Sequence, residues 1–304
     1  MTEIVRKRPL IRPGWLRVLI FSSFYAISVL FTFKAAAEML ESTGLTDRGG
    51  KKTDPALLLN GDLLWLTVLT GLLLAFLVVY IFRRFVDRES FVSLGFDTEG
   101  WGNEALTGFF LAPALLGLGS LILFASGNLK WMDFDFDPGN LFIEMGIFIM
   151  AAFSEEIIFR GYILNNLMSS FNRWVALFIS SVLFALAHFS AEGIGFLPLV
   201  NLFLGGLLLG INYSYTKNIW FAIFLHFSWN FFQGPALGFK VSSSTFHSLL
   251  QTELKGNPLI TGGGFGFEGS FVYTALILST LLILSFLYER KFRTNPGAES
   301  IDPA

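Results

Sequence analysis

Ser154-Glu155-Glu156-Ile157-Ile158-Phe159-Arg160 sits inside an apolar run that extends from residue 141 to residue 168. A run of that length can cross the roughly 30 Å of bilayer hydrocarbon as a helix. Glu155, Glu156 and Arg160 are then expensive, because ionisable groups at membrane depth are rare and mark chemistry or a pathway. The segment therefore implies a membrane helix with work to do.

Outside that run the apolar pattern repeats, mostly without the charges. The 304-residue chain is 53% hydrophobic and 14% charged, against about a quarter charged in ordinary soluble domains. Apolar runs of spanning length fall near 15–37, 62–82, 105–126, 141–168, 174–191, 196–215, 219–236 and 269–288. The expected fold class is all-α, a polytopic membrane protein with about eight transmembrane helices in a single integral membrane domain, residues 1–304. With both termini on one side, that side collects thirteen Lys and Arg, including Arg6, Lys7, Arg8, Arg12, Arg17, Arg83, Arg84 and Arg88. The other side collects seven. Basic residues accumulate on the cytoplasmic side of short loops, so both termini are expected there, in the cell membrane of a prokaryote. The basic start leads into a run too long for a signal-peptide core, with no convincing small-residue cleavage site after it, and is expected to be the first anchored helix.

Composition also excludes some functions. The absence of cysteine rules out disulfides and thiolate metal sites, and a net charge of −2 gives no reason for nucleic-acid binding. Three extramembrane stretches remain, 41–61, 127–140 and 237–268. In the second, Asp133, Asp135 and Asp137 alternate with Phe134 and Phe136, without the glycine and terminal glutamate of an EF-hand loop. It reads as an ordinary acidic loop whose phenylalanines touch the interface. Gly264, Gly266 and Gly269 match G-x-G-x-x-G, yet no βαβ unit is available around them, and the match reads as accidental. His247 has no carboxylate near it in sequence and reads as a solvated surface residue.

The remaining polar residues gather in three apolar helices. At 100° per residue, Arg160 lies about 40° round the helix from Glu156 and about 140° from Glu155. An ion pair between Glu156 and Arg160 follows, leaving Glu155 without a local cation as the better candidate for a working carboxylate. His226 and Asn230 share a face, where Asn230 could orient the imidazole or donate to a developing oxyanion. Phe184 lies one turn from His188 and is expected to form a wall. His188 stands nearest the end of its run, which makes its fit the weakest. Any one of these residues alone could be interhelical hydrogen-bond glue, whereas the set reads as chemistry.

Glu-Glu-x-x-x-Arg at 155–160, Phe-x-x-x-His at 184–188 and His-x-x-x-Asn at 226–230, in that order on separate helices, resemble the CAAX prenyl protease type II and bacteriocin-processing (CPBP, or Abi) family of intramembrane proteases. The resemblance covers about residues 140–236, including the Thr216-Lys217-Asn218-Ile219-Trp220 approach to His226. It implies an all-helical membrane endopeptidase acting on a hydrophobic or lipidated protein, with Glu155 and His188 activating water. It implies His226 and Asn230 as the oxyanion stabilisers, so that Glu155, Glu156, His188, His226 and Asn230 form the candidate catalytic set, with Arg160 and Phe184 supporting it. His188, His226 and Glu155 would make a zinc set if a metal is used. The soluble-protease H-E-x-x-H signature is absent, which favours glutamate catalysis without a cofactor. Two other classes compete. A proton- or cation-coupled transporter would show inverted repeats or broken helices, and a catalytically silent scaffold or immunity protein would have lost a motif residue. Neither feature is visible in the sequence.

Overall fold

The computed structural model describes residues 8–42, 63–98 and 100–293. Arg6, Lys7 and nearly all of the 41–61 stretch, with Arg48, Lys51 and Lys52, lie outside the described residues.

Helices α1 (Gly14–Ser42), α2 (Leu64–Ile81, continued by a π-helical turn Phe82–Asp87) and α3 (Trp101–Ala125) precede strand β1 (Leu129–Phe134). Next comes α4 (Pro138–Glu156), running on through a π-helical segment Ile157–Leu164 into the single turn α5 (Asn165–Leu167). Then follow α6 (Arg173–Ala187), α7 (Phe196–Thr216) and α8 (Trp220–Phe231, with a π turn Phe232–Ala236). Strand β2 (Leu250–Leu254), the short α9 (Pro258–Thr261) and α10 (Phe271–Arg293) complete the order.

Five of these helices, among the described residues, are long and apolar enough to cross a membrane: α1, α2 with its π turn, α3, α7 and α10. Their outer faces leave Leu30, Phe31, Leu282 and Phe286 more than 60% exposed. Apolar faces of that size fit lipid, where helices also satisfy their own backbone groups. The chain is an all-α integral membrane protein, and the count of eight helices is approximate. The run at 174–191 yields only the 15 residues of α6. The run at 219–236 changes register at Phe232, where Pro235 removes a backbone donor. The run at 141–168 changes register directly after Glu156, and such π segments tend to mark functional positions.

Part of the two stretches read as loops is sheet. β1 pairs antiparallel with β2 in the register Lys130↔Glu253 and Trp131↔Thr252, with a bulge between Trp131 and Asp133. The aspartates serve local structure. Asp137 caps α4 by accepting from the backbone of Gly139 at 2.9 Å and Asn140 at 3.1 Å. These bonds, with that of Asn140 the largest, hold its carboxyl below the usual carboxylate range. Asp135 lies 3.1 Å from His247 Nε2, so His247 does have an acidic partner, brought from 112 residues away.

At the opposite end of the bundle, Asp87 is 1% exposed and accepts from Arg17 and Arg83 at 3.0 Å each. Tyr162 and Asn166 donate to it at 3.4 and 3.3 Å. Two arginines counted by sequence among the flanking charges are thus buried, joining α1 and the α2 extension to α5. Removing one member of a buried ionic cluster strands the others, at about 3–5 kcal/mol, whereas an exposed pair contributes about 0–1 kcal/mol. Asp87→Ala is therefore expected to lower the thermal midpoint in detergent clearly, and Glu38→Ala, which breaks the exposed Lys34–Glu38 pair, to leave it nearly unchanged.

Candidate active site

α4 ends with two glutamates that face different surroundings. Glu156 is fully buried, and its Oε1 accepts from Arg160 Nη1 at 2.8 Å and from His226 Nδ1 at 2.7 Å. Arg160, 1% exposed, also donates to the Gly206 carbonyl of α7 at 3.0 Å and lies 4.6 Å from the Phe184 ring centroid of α6. Charge-assisted hydrogen bonds and the aromatic face compensate the guanidinium for lost water. The Gly206 carbonyl is within reach because α6 and α7 pack closely: a Cβ on Gly206 would meet Ser181 at 3.0 Å, and one on Gly210 would meet Leu177 at 2.5 Å. Small residues permit such approach between membrane helices.

Glu155 turns away from that cluster. Its Oε2 makes no hydrogen bond and lies 3.8 Å from His188 Nε2 and 4.0 Å from His226 Nε2. His188 stands immediately after α6, with Nδ1 2.9 Å from the Phe184 carbonyl. A ring nitrogen facing a carbonyl oxygen must carry the proton, so in the neutral ring Nε2 presents its lone pair towards Glu155. The Phe184 ring lies 4.9 Å from the His188 ring and 6.2 Å from that of His226, forming the wall behind both. Orientation of the His226 imidazole comes from Glu156 rather than from Asn230. The Asn230 side chain lines the cavity and has no hydrogen-bond partner among the described residues.

These groups border a cavity of about 290 Å³ whose walls are largely leucine, isoleucine and phenylalanine. The segment after α8 closes one side with Val241, Ser242 and Phe246. A tetrahedral zinc ion with bonds near 2 Å would hold its donor atoms about 3.3 Å apart. The separations here are longer, and no group of three or more His, Cys, Asp or Glu among the described residues is placed to hold a metal ion. As placed here, His188, His226 and Glu155 are not grouped to hold zinc.

Two cavity residues escaped the sequence reading. Trp229, beside Asn230, lines the cavity with an indole N–H that has no hydrogen-bond partner. Glu268 enters from the segment before α10 and is 8% exposed. Its signal was an acid set among glycines and aromatics, Gly264-Phe265-Gly266-Phe267-Glu268-Gly269, directly before an apolar run.

Residues 137–232 match the family model described as Rce1-like, type II CAAX prenyl endopeptidase Rce1-like. These residues form an Rce1-like domain. It contains Glu155, Glu156, Arg160, Phe184, His188, His226 and Asn230, and ends before Glu268. An Escherichia coli protein named "Uncharacterized 24.3 kDa protein" is 32% identical over 91 residues, 29% of this chain and 41% of its own length. The Bacillus subtilis (strain 168) protein named "Putative membrane peptidase YdiL" is 28% identical over 224 residues, 70% of this chain and 82% of its own. The chain thus spans less than half of the first relative and most of the second. No solved structure matches the chain.

The two glutamates of the Rce1-like domain should separate in a stability measurement. Arg160→Ala leaves Glu156 buried without its guanidinium, at about 3–5 kcal/mol, while Glu155→Ala removes a side chain that is 31% exposed and makes no hydrogen bond through Oε2. Thermal melts in one detergent are expected to place Arg160→Ala well below Glu155→Ala. The reverse order would mean that the roles of Glu155 and Glu156 are exchanged.

Proposed function

We propose that this protein is an intramembrane endopeptidase that hydrolyses a peptide bond in a hydrophobic or lipidated protein, using water activated by Glu155 and His188. The observation that carries this reading is one carboxylate oxygen, free of hydrogen bonds, facing two imidazole Nε2 atoms at 3.8 and 4.0 Å in an apolar cavity. Two hydrogen bonds of about 2.8 Å, meeting at a water's near-tetrahedral angle, span about 4.5 Å, so the Glu155–His188 pair, 3.8 Å apart, opens by about 0.7 Å to admit a bridging water. A water between Glu155 Oε2 and His188 Nε2 points both hydrogens at acceptors and its lone pair at the substrate carbonyl. Glu155 takes one proton as the bond to carbon forms.

The oxyanion then needs donors. With Nδ1 held as a donor by Glu156, His226 donates through Nε2 only as the imidazolium, and Glu156 at 2.7 Å supports that form. The Asn230 amide, one turn further along α8, supplies a second donor. Leucine and phenylalanine side chains around the cavity suit an apolar substrate segment, and the membrane-spanning helices fit a substrate presented from the bilayer. The excess of Lys and Arg on one side supports cytoplasmic termini.

Glu155→Ala is expected to abolish turnover while the protein stays folded in detergent. Comparison of protein termini in membrane and secreted fractions of cells carrying wild type or Glu155→Ala would reveal the substrate as new termini present only with the wild type. Normal processing by Glu155→Ala would overturn the assignment. Activity is expected to persist in strong chelator. Stoichiometric zinc lost together with activity in His188→Ala, and activity restored by zinc in chelated wild type, would contradict glutamate catalysis.

A further inference from the structure

A third acid reaches the cavity from outside the Rce1-like domain. Glu268 lies in the 3-10 turn Phe267–Gly269, beyond the membrane-spanning helices. It borders the same cavity as Glu155, His188 and His226, and its Oε2 makes no hydrogen bond. It takes part in no ion pair among the described residues.

Its position is held firmly. Asn201 of α7, fully buried, donates to the Glu268 carbonyl at 2.7 Å and to the Ser270 carbonyl at 2.9 Å, and accepts from Thr274 Oγ1 at 2.7 Å. Ser270 Oγ accepts from the Tyr273 backbone at 3.0 Å, fixing the entry into α10. The glycines permit the close packing beneath. Gly266 has φ +105° and an added Cβ would lie 2.3 Å from the Lys240 carbonyl oxygen, while one on Gly269 would lie 2.7 Å from that of Gly262. The run that matches a dinucleotide fingerprint is thus a tightly packed platform that presents one acid.

A buried carboxylate with no cation beside it is costly, whereas a carboxylic acid in the same place is tolerated. Burial pushes the Glu268 carboxyl up, against the opposing imidazoles of His188 and His226 and hydrogen bonding from the Gln233 side chain and the Ser242 backbone. Amide hydrolysis needs a proton donor, because an amine leaves poorly as an anion. Resting on the hydrolase reading above, we propose that Glu268 is a further catalytic residue, the acid that hands a proton to the departing nitrogen. Water gives one proton to Glu155 and its oxygen to the carbonyl carbon, whose π pair moves onto the carbonyl oxygen. Collapse re-forms the carbonyl and breaks the C–N bond as the Glu268 proton passes to nitrogen. Glu155 is left as the acid and Glu268 as the carboxylate, and one proton returned from Glu155 to Glu268 through solvent resets the site.

The test compares a palmitoyl-capped apolar dipeptide as its p-nitroanilide and as its p-nitrophenyl ester, since the nitrophenolate leaves without protonation. Glu268→Gln is expected to lower anilide turnover about 10²- to 10⁴-fold and to keep ester turnover within about threefold of wild type. The retained ester activity also shows that the variant is folded. Glu155→Gln is expected to lose both activities. Unchanged anilide turnover in Glu268→Gln, or parallel loss of anilide and ester, would overturn the role of Glu268. A wild type that cleaves neither compound would overturn the hydrolase reading on which the proposal rests.

Discussion

Everything at the site depends on how Glu156 is held. One carboxylate oxygen accepts from a guanidinium at 2.8 Å and from an imidazole at 2.7 Å, fully out of solvent. Through Arg160 that anion reaches the α7 backbone and the α6 aromatic wall, and through His226 it reaches α8. Four helices are thereby registered on one buried charge. Such a cluster is a weak source of net stability, but breaking it is expensive, so it fixes geometry. With Glu156 fixed, the preceding residue in the helix, Glu155, must point elsewhere, and it points into the cavity.

Two adjacent glutamates acquire different characters from their surroundings alone, a pattern by which one site separates acid and base roles. Glu156 is held by two cationic or hydrogen-bonding groups. Glu155 keeps a free oxygen facing two ring nitrogens, neither close enough to hydrogen-bond it directly. His188 completes the asymmetry because the Phe184 carbonyl holds its Nδ1 proton and turns the basic nitrogen towards Glu155. Glu268 adds a carboxyl whose setting differs from both, presented by a loop instead of a helix.

The parts of this arrangement that were legible in the sequence are those fixed by helical periodicity. The Glu156–Arg160 pair follows from i to i+4 spacing, and the membrane class follows from apolar runs interrupted by few charges. The link between Glu156 and His226 joins residues 70 apart, and no local pattern announces it. The His188 position looked awkward because it ends its apolar run, yet α6 stops at 15 residues and its last turn is what meets the cavity. Strands β1 and β2 stayed hidden because each is only five or six residues long and they pair across more than a hundred residues. Glu268 stayed hidden for a related reason. Its place comes from backbone packing at Gly266 and Gly269 and from the Asn201 clamp, all tertiary facts.

The division of labour between the two glutamates can be read most directly from the His226 ring by NMR of ¹⁵N-histidine-labelled protein in detergent. The Nδ1 proton of His226, donated to Glu156, should appear as a strongly hydrogen-bonded signal. That signal is predicted to lose its strong downfield shift in Glu156→Gln, whose neutral amide oxygen is a weaker acceptor, and to keep it in Glu155→Gln. Loss of the shift in Glu155→Gln, with persistence in Glu156→Gln, would contradict the account.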